Sequence, residues 1–257
     1  MNRLLENEVY IKKIAICLLL IVIALISATK VSKWASSTST HEYEIAQIDK
    51  KIETVLELTG GATAASAVIS LMPDDQCTPI AEQLAELAKY FLVVLSALYL
   101  EKYLISIIGV VSFSVLIPIA LAIIGFGVWA KRSNSRNIAL KLIICALVLY
   151  WIIPVSVKVS DKIYDNYETS IQDTIEVSEA LSEAEDNSDE GLLNQLSDWI
   201  TKAAKSAVDY VTDILSRFVE SLAVMIVTSC LIPILVLVFS AWLIKLLFGA
   251  QIGIQEK

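Results

Sequence analysis

The sequence predicts an all-α fold, that of a polytopic helical membrane protein with four transmembrane helices and two extracytoplasmic helical lobes. Of the 257 residues, 56% are hydrophobic and the mean hydropathy is +0.67, whereas soluble domains are about 45–50% apolar. The apolar residues are concentrated in long blocks that end beside basic residues, as membrane spans do. Between the blocks, apolar residues recur at three- and four-residue spacings, which indicates amphipathic helices.

The apolar blocks set the expected segment boundaries. The first block, residues 14–28, is short and follows a basic start, so it fits either a membrane anchor or a cleaved signal sequence. In chain order we expect a cytoplasmic N-terminus (1–13), the first span (14–28), lobe 1 (29–103), the second span (104–130), a basic cytoplasmic turn (131–137), the third span (138–158), lobe 2 as a helical hairpin (159–220), the fourth span (221–248) and a cytoplasmic tail (249–257).

The apolar region 91–130 admits two interpretations. Two spans there would make five in all, and they would need a reversal near Ser112. They would also place Glu101 near the centre of the membrane, where a charge costs at least about 2.5–3.5 kcal/mol. A single span at 104–130 leaves Glu101 and Lys102 at its outer edge. We therefore expect four spans, with five as the alternative, and Glu101–Lys102 as either a structural pair or a gate pair.

Basic residues predict the orientation of the spans. Positive charge favours the cytoplasmic side, and the densest basic cluster lies in the turn between the second and third spans. The basic N-terminal segment and the basic end of the fourth span lie on that same side only if the spans number four. The expected topology anchors are Lys131, Arg132, Arg136, Trp129, Trp242 and Lys245. We therefore expect a multi-pass protein of the cell membrane with both termini in the cytoplasm.

Lobe 1 is predicted to contain three helices. Apolar spacing indicates an amphipathic helix over residues 41–58, and we expect the glycine pair Gly60-Gly61 to end it. A short helix of small residues follows. The next helix is expected to begin at Thr78, with the threonine as N-cap and Pro79 at the first helical position.

Lobe 2 is predicted to be an acidic helical hairpin. Between residues 161 and 198, twelve residues are acidic and one is basic, which argues against a nucleic-acid partner because that would need a basic face. Apolar residues over 193–214 follow a heptad seam. This seam and the stripe before it, joined by an acidic turn, predict two antiparallel helices.

The second and fourth spans share a six-residue pattern. It reads SVLIPI from Ser114 and SCLIPI from Ser229, and both spans run in the same direction. A tandem duplication, which is known in transporters, would explain the shared pattern. Chance would explain it as well, since these residues are common in membrane spans. Helix kinks are expected at Pro118, Pro154 and Pro233. The carbonyls that these prolines free must be satisfied by Ser or Thr or by neighbouring helices.

The sequence contains no recognisable catalytic or metal-binding pattern. His41 is the only histidine, and its combination with Asp74-Asp75 is better explained by loop polarity. Three of the four cysteines lie in apolar blocks, and no two are spaced for a metal or a disulfide framework. The acidic turn lacks the glutamate that a calcium loop needs at its last position. We therefore expect no enzyme activity, no cofactor and no metal.

These observations favour a non-enzymatic integral membrane protein. Its extracytoplasmic helical hairpins are expected to mediate protein–protein association or self-association, so its partners would be the lipid bilayer and either another protein or a second copy. The alternative is a transporter or channel component built from two tandem halves. That alternative requires polar side chains to converge within the spans.

Overall fold

The computed structural model describes residues 2–70, 77–130, 134–186 and 207–249, and this part of the chain is almost entirely helical with no β-strand. The α-helices are α1 (Asn2–Ile26), α2 (Ser32–Ala35), α3 (Glu42–Ser70), α4 (Thr78–Val110), α5 (Ile117–Ala130), α6 (Asn134–Asp186), α7 (Ala207–Ile226) and α8 (Ile232–Gly249). Three π-helical segments are π1 (Ser27–Val31), π2 (Val111–Leu116) and π3 (Val227–Leu231), and a 3₁₀ turn covers Thr38–His41.

Four helical runs within these residues are long and apolar enough to cross a membrane. They are Tyr10–Ala35, Thr78–Trp129, Ser135–Glu179 and Val208–Gly249. The protein is therefore an all-α polytopic membrane protein, as the sequence predicts. The chain passes from α4 to α5 through π2 without turning back, so the reversal near Ser112 that five spans require is absent.

The chain divides into two compact units. Unit 1 comprises Met1–Ile45, Lys102–Ser156 and Leu235–Lys257, and unit 2 comprises Ala46–Glu101 and Val157–Ile234. Most of both predicted lobes falls in unit 2. The two lobes therefore form a single compact unit, in which α3 and α4 pack with the second half of α6 and with α7.

The two units are filled by different kinds of side chain. Fully buried residues of unit 1 are small: Ala35, Ser112, Ala120, Ala139 and Ala146. Fully buried residues of unit 2 include small ones, such as alanines of α3, but also large ones: Leu84, Phe91, Leu98, Phe218 and Met225. Small residues let helices approach closely in lipid, where burial of apolar side chains gives no hydrophobic gain. Large buried side chains stabilise helices that face water, at roughly 1.5–3 kcal/mol each.

The glycine pair does not end the first helix of lobe 1, so that prediction is wrong. The helix α3 runs through both glycines from Glu42 to Ser70. A Cβ on Gly61 would overlap the side chain of Ser178 on α6, so the glycine allows these two helices to touch. Each glycine costs the helix about 1 kcal/mol relative to alanine. The close packing offsets that cost at Gly61 but not at Gly60, where an added Cβ would meet nothing within 4 Å.

Both copies of the repeated six-residue pattern adopt the same local structure. A π-helical segment precedes each proline, and an α-helix restarts at Ile117-Pro118 and at Ile232-Pro233. Proline lacks an N–H and its ring clashes with the carbonyl four residues earlier, and an inserted π turn accommodates it. In contrast, Pro154 lies inside α6, which continues through it; a kink there stays a prediction.

Helix ends agree with some of the expected boundaries. The helix α4 begins at Thr78, one residue before the predicted first helical position, because the carbonyl of Cys77 accepts the first hydrogen bonds and makes Cys77 the N-cap. The helix α6 begins at Asn134, so it already contains part of the predicted basic turn, including Arg136. The predicted anchors Lys131 and Arg132 and most of the heptad seam lie outside the described residues.

Candidate functional site

A buried charged cluster lies in unit 2. The Lys51 ammonium Nζ lies 2.7 Å from Asp161 Oδ1 and 3.0 Å from Ser160 Oγ. Lys51 and Asp161 are only 3% and 5% exposed. Glu101, which is partly buried, interacts electrostatically with both of them. The cluster therefore combines two carboxylates with one ammonium group. Such buried charges occur at functional sites and also in structural ion-pair networks.

The helical spacing of α3 turns Lys51 inward. Ile48 and Val55, three residues before it and four after it, are both buried on the same stripe. The lysine stem lies near the aromatic ring of Tyr164, with Nζ 5.8 Å from the ring centroid, and the Tyr164 hydroxyl is 3.2 Å from Thr54 Oγ1. These contacts fix α3 beside α6 and hold the lysine in one position.

The residue before Lys51 makes a similar pair at the surface. Lys50 Nζ lies 2.6 Å from Glu168 Oε1, and both side chains are about half exposed. The hydrogen bond to Glu168 raises the pKa of Lys50, and partial burial opposes this rise. The chain thus holds two consecutive lysines that each bind a carboxylate of α6, one in water and one buried.

Two serine hydroxyls satisfy carbonyls of the π-helical segments. Ser27 donates to the carbonyl of Phe113 at 2.9 Å, and Ser160 donates to the carbonyl of Thr228. Each carbonyl belongs to the fifth residue before the proline of its repeated pattern. In a π-helix that carbonyl bonds to the N–H five residues later, which proline lacks. The expectation that serine or threonine would satisfy carbonyls freed by proline is therefore confirmed for two of the three prolines.

Ser160 joins the charged cluster to the segment π3. Its oxygen accepts a hydrogen bond from Lys51, and its hydroxyl donates to the carbonyl of Thr228. All three residues are buried. A change in the charge of the cluster would therefore act directly on the backbone before the proline of α8.

An apolar face of α4 is exposed in the same unit. Its residues, which we call the α4 face, are 40–64% exposed: Tyr90, Leu92, Val93, Tyr99 and Leu100. The exposed positions of α3 and α6 include charged residues, such as Glu53, Glu57, Lys162 and Asp165, and fewer large apolar ones in this unit: Leu56, Val159 and Tyr167. A large exposed apolar patch beside charged surfaces is typical of an interaction site.

Of the proposed gate pair, Glu101 interacts electrostatically with Lys51 and Asp161 of the charged cluster. Its pairing with Lys102 stays a prediction. Among the topology anchors, Trp129 contacts Tyr10 with ring centroids 6.0 Å apart and Trp242 contacts Phe239 at 5.9 Å. Lys245 lies in α8. Sequence reasoning missed Lys51 and Asp161, and the available signal was that Lys51 occupies an apolar stripe.

His41 has a structural role in unit 1. Its Nε2 lies 3.1 Å from the carbonyl oxygen of Ala35, and its Nδ1 lies 3.8 Å from a carboxylate oxygen of Glu44. Its ring meets that of Tyr150 edge to face. These contacts fasten the turn between α2 and α3. Among the residues that the structure describes, no group of three or more His, Cys, Asp or Glu side chains could hold a metal ion.

Comparison of the chain with protein-family models, with curated proteins and with solved structures finds no match. An all-α membrane fold does not by itself specify a function. The function must therefore be argued from the charged cluster, the α4 face and the surroundings of each.

Proposed function

We propose that this protein is a non-enzymatic integral membrane protein of the cell membrane that self-associates through its extracytoplasmic helices. Both termini lie in the cytoplasm, and the part of unit 2 that lies between the spans, residues 46–101 and 159–220, is outside the membrane. Support for this placement comes from large, fully buried side chains of that part, such as Leu84, Phe91 and Phe218, which match a water-facing bundle. The fully buried residues of unit 1 are small, which matches helices packed in lipid.

The α4 face is the observation that carries the proposal. Five large apolar side chains are exposed within eleven residues of one helix, more than α3, α6 or α7 exposes in the same unit. Burying each such side chain against a partner contributes at most about 1.5–3 kcal/mol. Two tyrosines are among the five, and aromatic residues are enriched at protein interfaces. The face therefore gains most by meeting another apolar protein surface.

A second copy is the partner that we propose. The α4 face ends a few residues before the predicted span at 104–130, so two copies in one membrane carry the face at the same height. Confinement to a membrane also raises their effective concentration. A two-fold contact between identical faces is the commonest arrangement of homodimers.

Cysteine crosslinking in membranes tests self-association. In a variant whose four native cysteines are replaced by alanine, Val93→Cys is expected to give a crosslinked dimer with a short bismaleimide. The matched control Glu57→Cys, on the exposed charged side of α3, is expected to stay monomeric. Equal crosslinking of both variants, or none at Val93, would overturn self-association through this face.

Labelling with a membrane-impermeant thiol reagent tests the orientation. In the same cysteine-free background, Ser188→Cys is expected to label on intact cells, and Ser133→Cys only after permeabilisation. Labelling of Ser133→Cys from outside would reverse the orientation and contradict the proposed topology.

The charged cluster favours a second candidate, a transporter or channel component built from two tandem halves. Lys51, Asp161 and Glu101 bring buried charges together, and such charges mark ion pathways when they occur in membrane proteins. Ion flux into proteoliposomes is the relevant measurement. Flux that Glu101→Gln abolishes would support this candidate, and flux that this variant leaves unchanged would exclude Glu101 as its gate.

A further inference from the structure

Unit 1 contains an apolar groove between α1 and α5. Its volume is about 740 Å³, and all of its lining side chains are apolar apart from the thiol of Cys17. The groove exists because small residues stand where the helices face each other. A Cβ on Gly125, for example, would meet only Leu20, at 3.9 Å. Ala24 and Ala122 also line it.

The groove lies in the part of the chain predicted to cross the membrane. Its lining residues come from the first and second spans, residues 14–28 and 104–130. From Pro118 to Trp129 the α5 side extends over twelve residues, whose helical rise is about 16 Å. This length matches one leaflet of a hydrocarbon core that is about 30 Å thick. The groove therefore has the length and polarity of a site for a single acyl chain.

One end of the groove carries a positive charge. Partly buried residues form one stripe along α1 and π1. They are Lys13, Cys17, Leu20, Ala24 and Ala28, and the last four line the groove. Lys13 continues this stripe one turn beyond Cys17. Lys12 stands next to it, and the ring pair of Tyr10 and Trp129 lies at the same end. Basic residues beside tyrosine and tryptophan are typical of the level of lipid headgroups.

We propose that this groove binds an anionic phospholipid, with one acyl chain between α1 and α5 and the phosphate at Lys13. The ammonium group attracts an anionic headgroup, and each such contact strengthens binding severalfold. A second copy is a poorer occupant, because a parallel α1 from another chain would bring its own lysines to the same level. The like charges would then repel.

Lipid retention by the full-length protein in nanodiscs tests the proposal. The protein is reconstituted in phosphatidylcholine with and without phosphatidylglycerol, released, and analysed by native mass spectrometry. We expect the wild type to retain phosphatidylglycerol in preference to phosphatidylcholine. Lys13→Gln should reduce that preference about fivefold, and Gly125→Leu, which fills the groove, should abolish retention of both lipids.

A matched control separates the groove from the general charge of α1. Lys30→Gln removes an exposed lysine near the other end of the same helical run and should leave the preference unchanged. Circular dichroism confirms that each variant is folded. Three results would overturn the proposal: no preference in the wild type, equal losses in Lys13→Gln and Lys30→Gln, or retention in a folded Gly125→Leu variant equal to that of the wild type.

Discussion

The two consecutive lysines of α3 provide an internally controlled test of the buried charged cluster. Replacing Lys51 with methionine keeps the length of the side chain and removes its charge, so Asp161 is left buried without its 2.7 Å partner. Removing one partner of a buried pair costs about 3–5 kcal/mol. The same replacement at Lys50 breaks an ion pair whose side chains are about half exposed, and such pairs contribute about 0.2–1 kcal/mol.

Thermal unfolding in detergent, followed by circular dichroism, measures the difference. For a chain of this size, 1 kcal/mol shifts the midpoint by about 2–4 °C. We therefore expect Lys51→Met to lower the midpoint by about 6–20 °C and Lys50→Met by no more than about 4 °C. The two variants share the substitution, the helix and the loss of one charge. They differ in the burial of the pair and in the further hydrogen bond from Lys51 to Ser160.

A double variant extends the test to the pair itself. Replacing Asp161 with leucine in the Lys51→Met background removes the stranded carboxylate, and apolar replacement of a whole buried pair is often neutral. We expect the double variant to regain at least half of the lost stability. If Lys51→Met proves no more destabilising than Lys50→Met, the lysine is not buried against Asp161 and the reasoning fails.

Three further predictions concern the same unit. Gly61→Ala should destabilise the protein by about 1–3 kcal/mol through overpacking against α6. Gly60→Ala, whose added methyl group meets nothing within 4 Å, should stabilise it by up to about 1 kcal/mol. Equal effects of the two variants in thermal unfolding would contradict the close helix contact. Ser160→Ala should lower the stability by about 1–3 kcal/mol because it leaves a buried carbonyl without its hydrogen-bond donor. Ser216→Ala, at an exposed position bonded within its own helix, should lower it by less than about 0.5 kcal/mol. Similar losses of stability in the two variants would refute the role of the buried hydroxyl. Burial and neighbouring carboxylates raise the pKa of Glu57, so the folded state holds this proton more tightly than the unfolded state and the ionised group destabilises the fold at neutral pH. Glu57→Gln should therefore stabilise the protein by about 0.2–0.5 kcal/mol at pH 7. This gain in stability should disappear as the pH falls through the pKa that Glu57 has in the folded state. A gain that persists at pH 3 would contradict burial and charge repulsion as its cause.

The fold was largely predictable because membrane spans are encoded locally. Blocks of apolar residues, their basic ends and the start of α4 near Thr78 each depend on residues close together in sequence. The continuity of α3 through Gly61 was not predictable, since it depends on Ser178, a residue of another helix. Local propensity favours a stop there, and tertiary packing overrides it.

The candidate site was less predictable for the same reason. Lys51 and Asp161 are 110 residues apart, and no local pattern pairs them. The sequence did single out Glu101 as an unusual charge and paired it with its neighbour Lys102. The structure adds electrostatic interactions of Glu101 with Lys51 and Asp161, which no local pattern indicated. The freed carbonyls were predictable from the prolines alone, whereas the identity of their donors, Ser27 and Ser160, was not.

The pairing of distant segments in unit 2 has a consequence for biosynthesis. Lys51 leaves the ribosome 110 residues ahead of Asp161, and synthesis proceeds at about 5–20 residues per second, so the lysine waits about 5–20 s for its counter-ion. The first half of the chain cannot complete its interior during that time. Newly made protein therefore passes through an interval in which its helical bundle is incomplete and accessible to quality-control factors. Variants that slow translation between these two residues lengthen this interval.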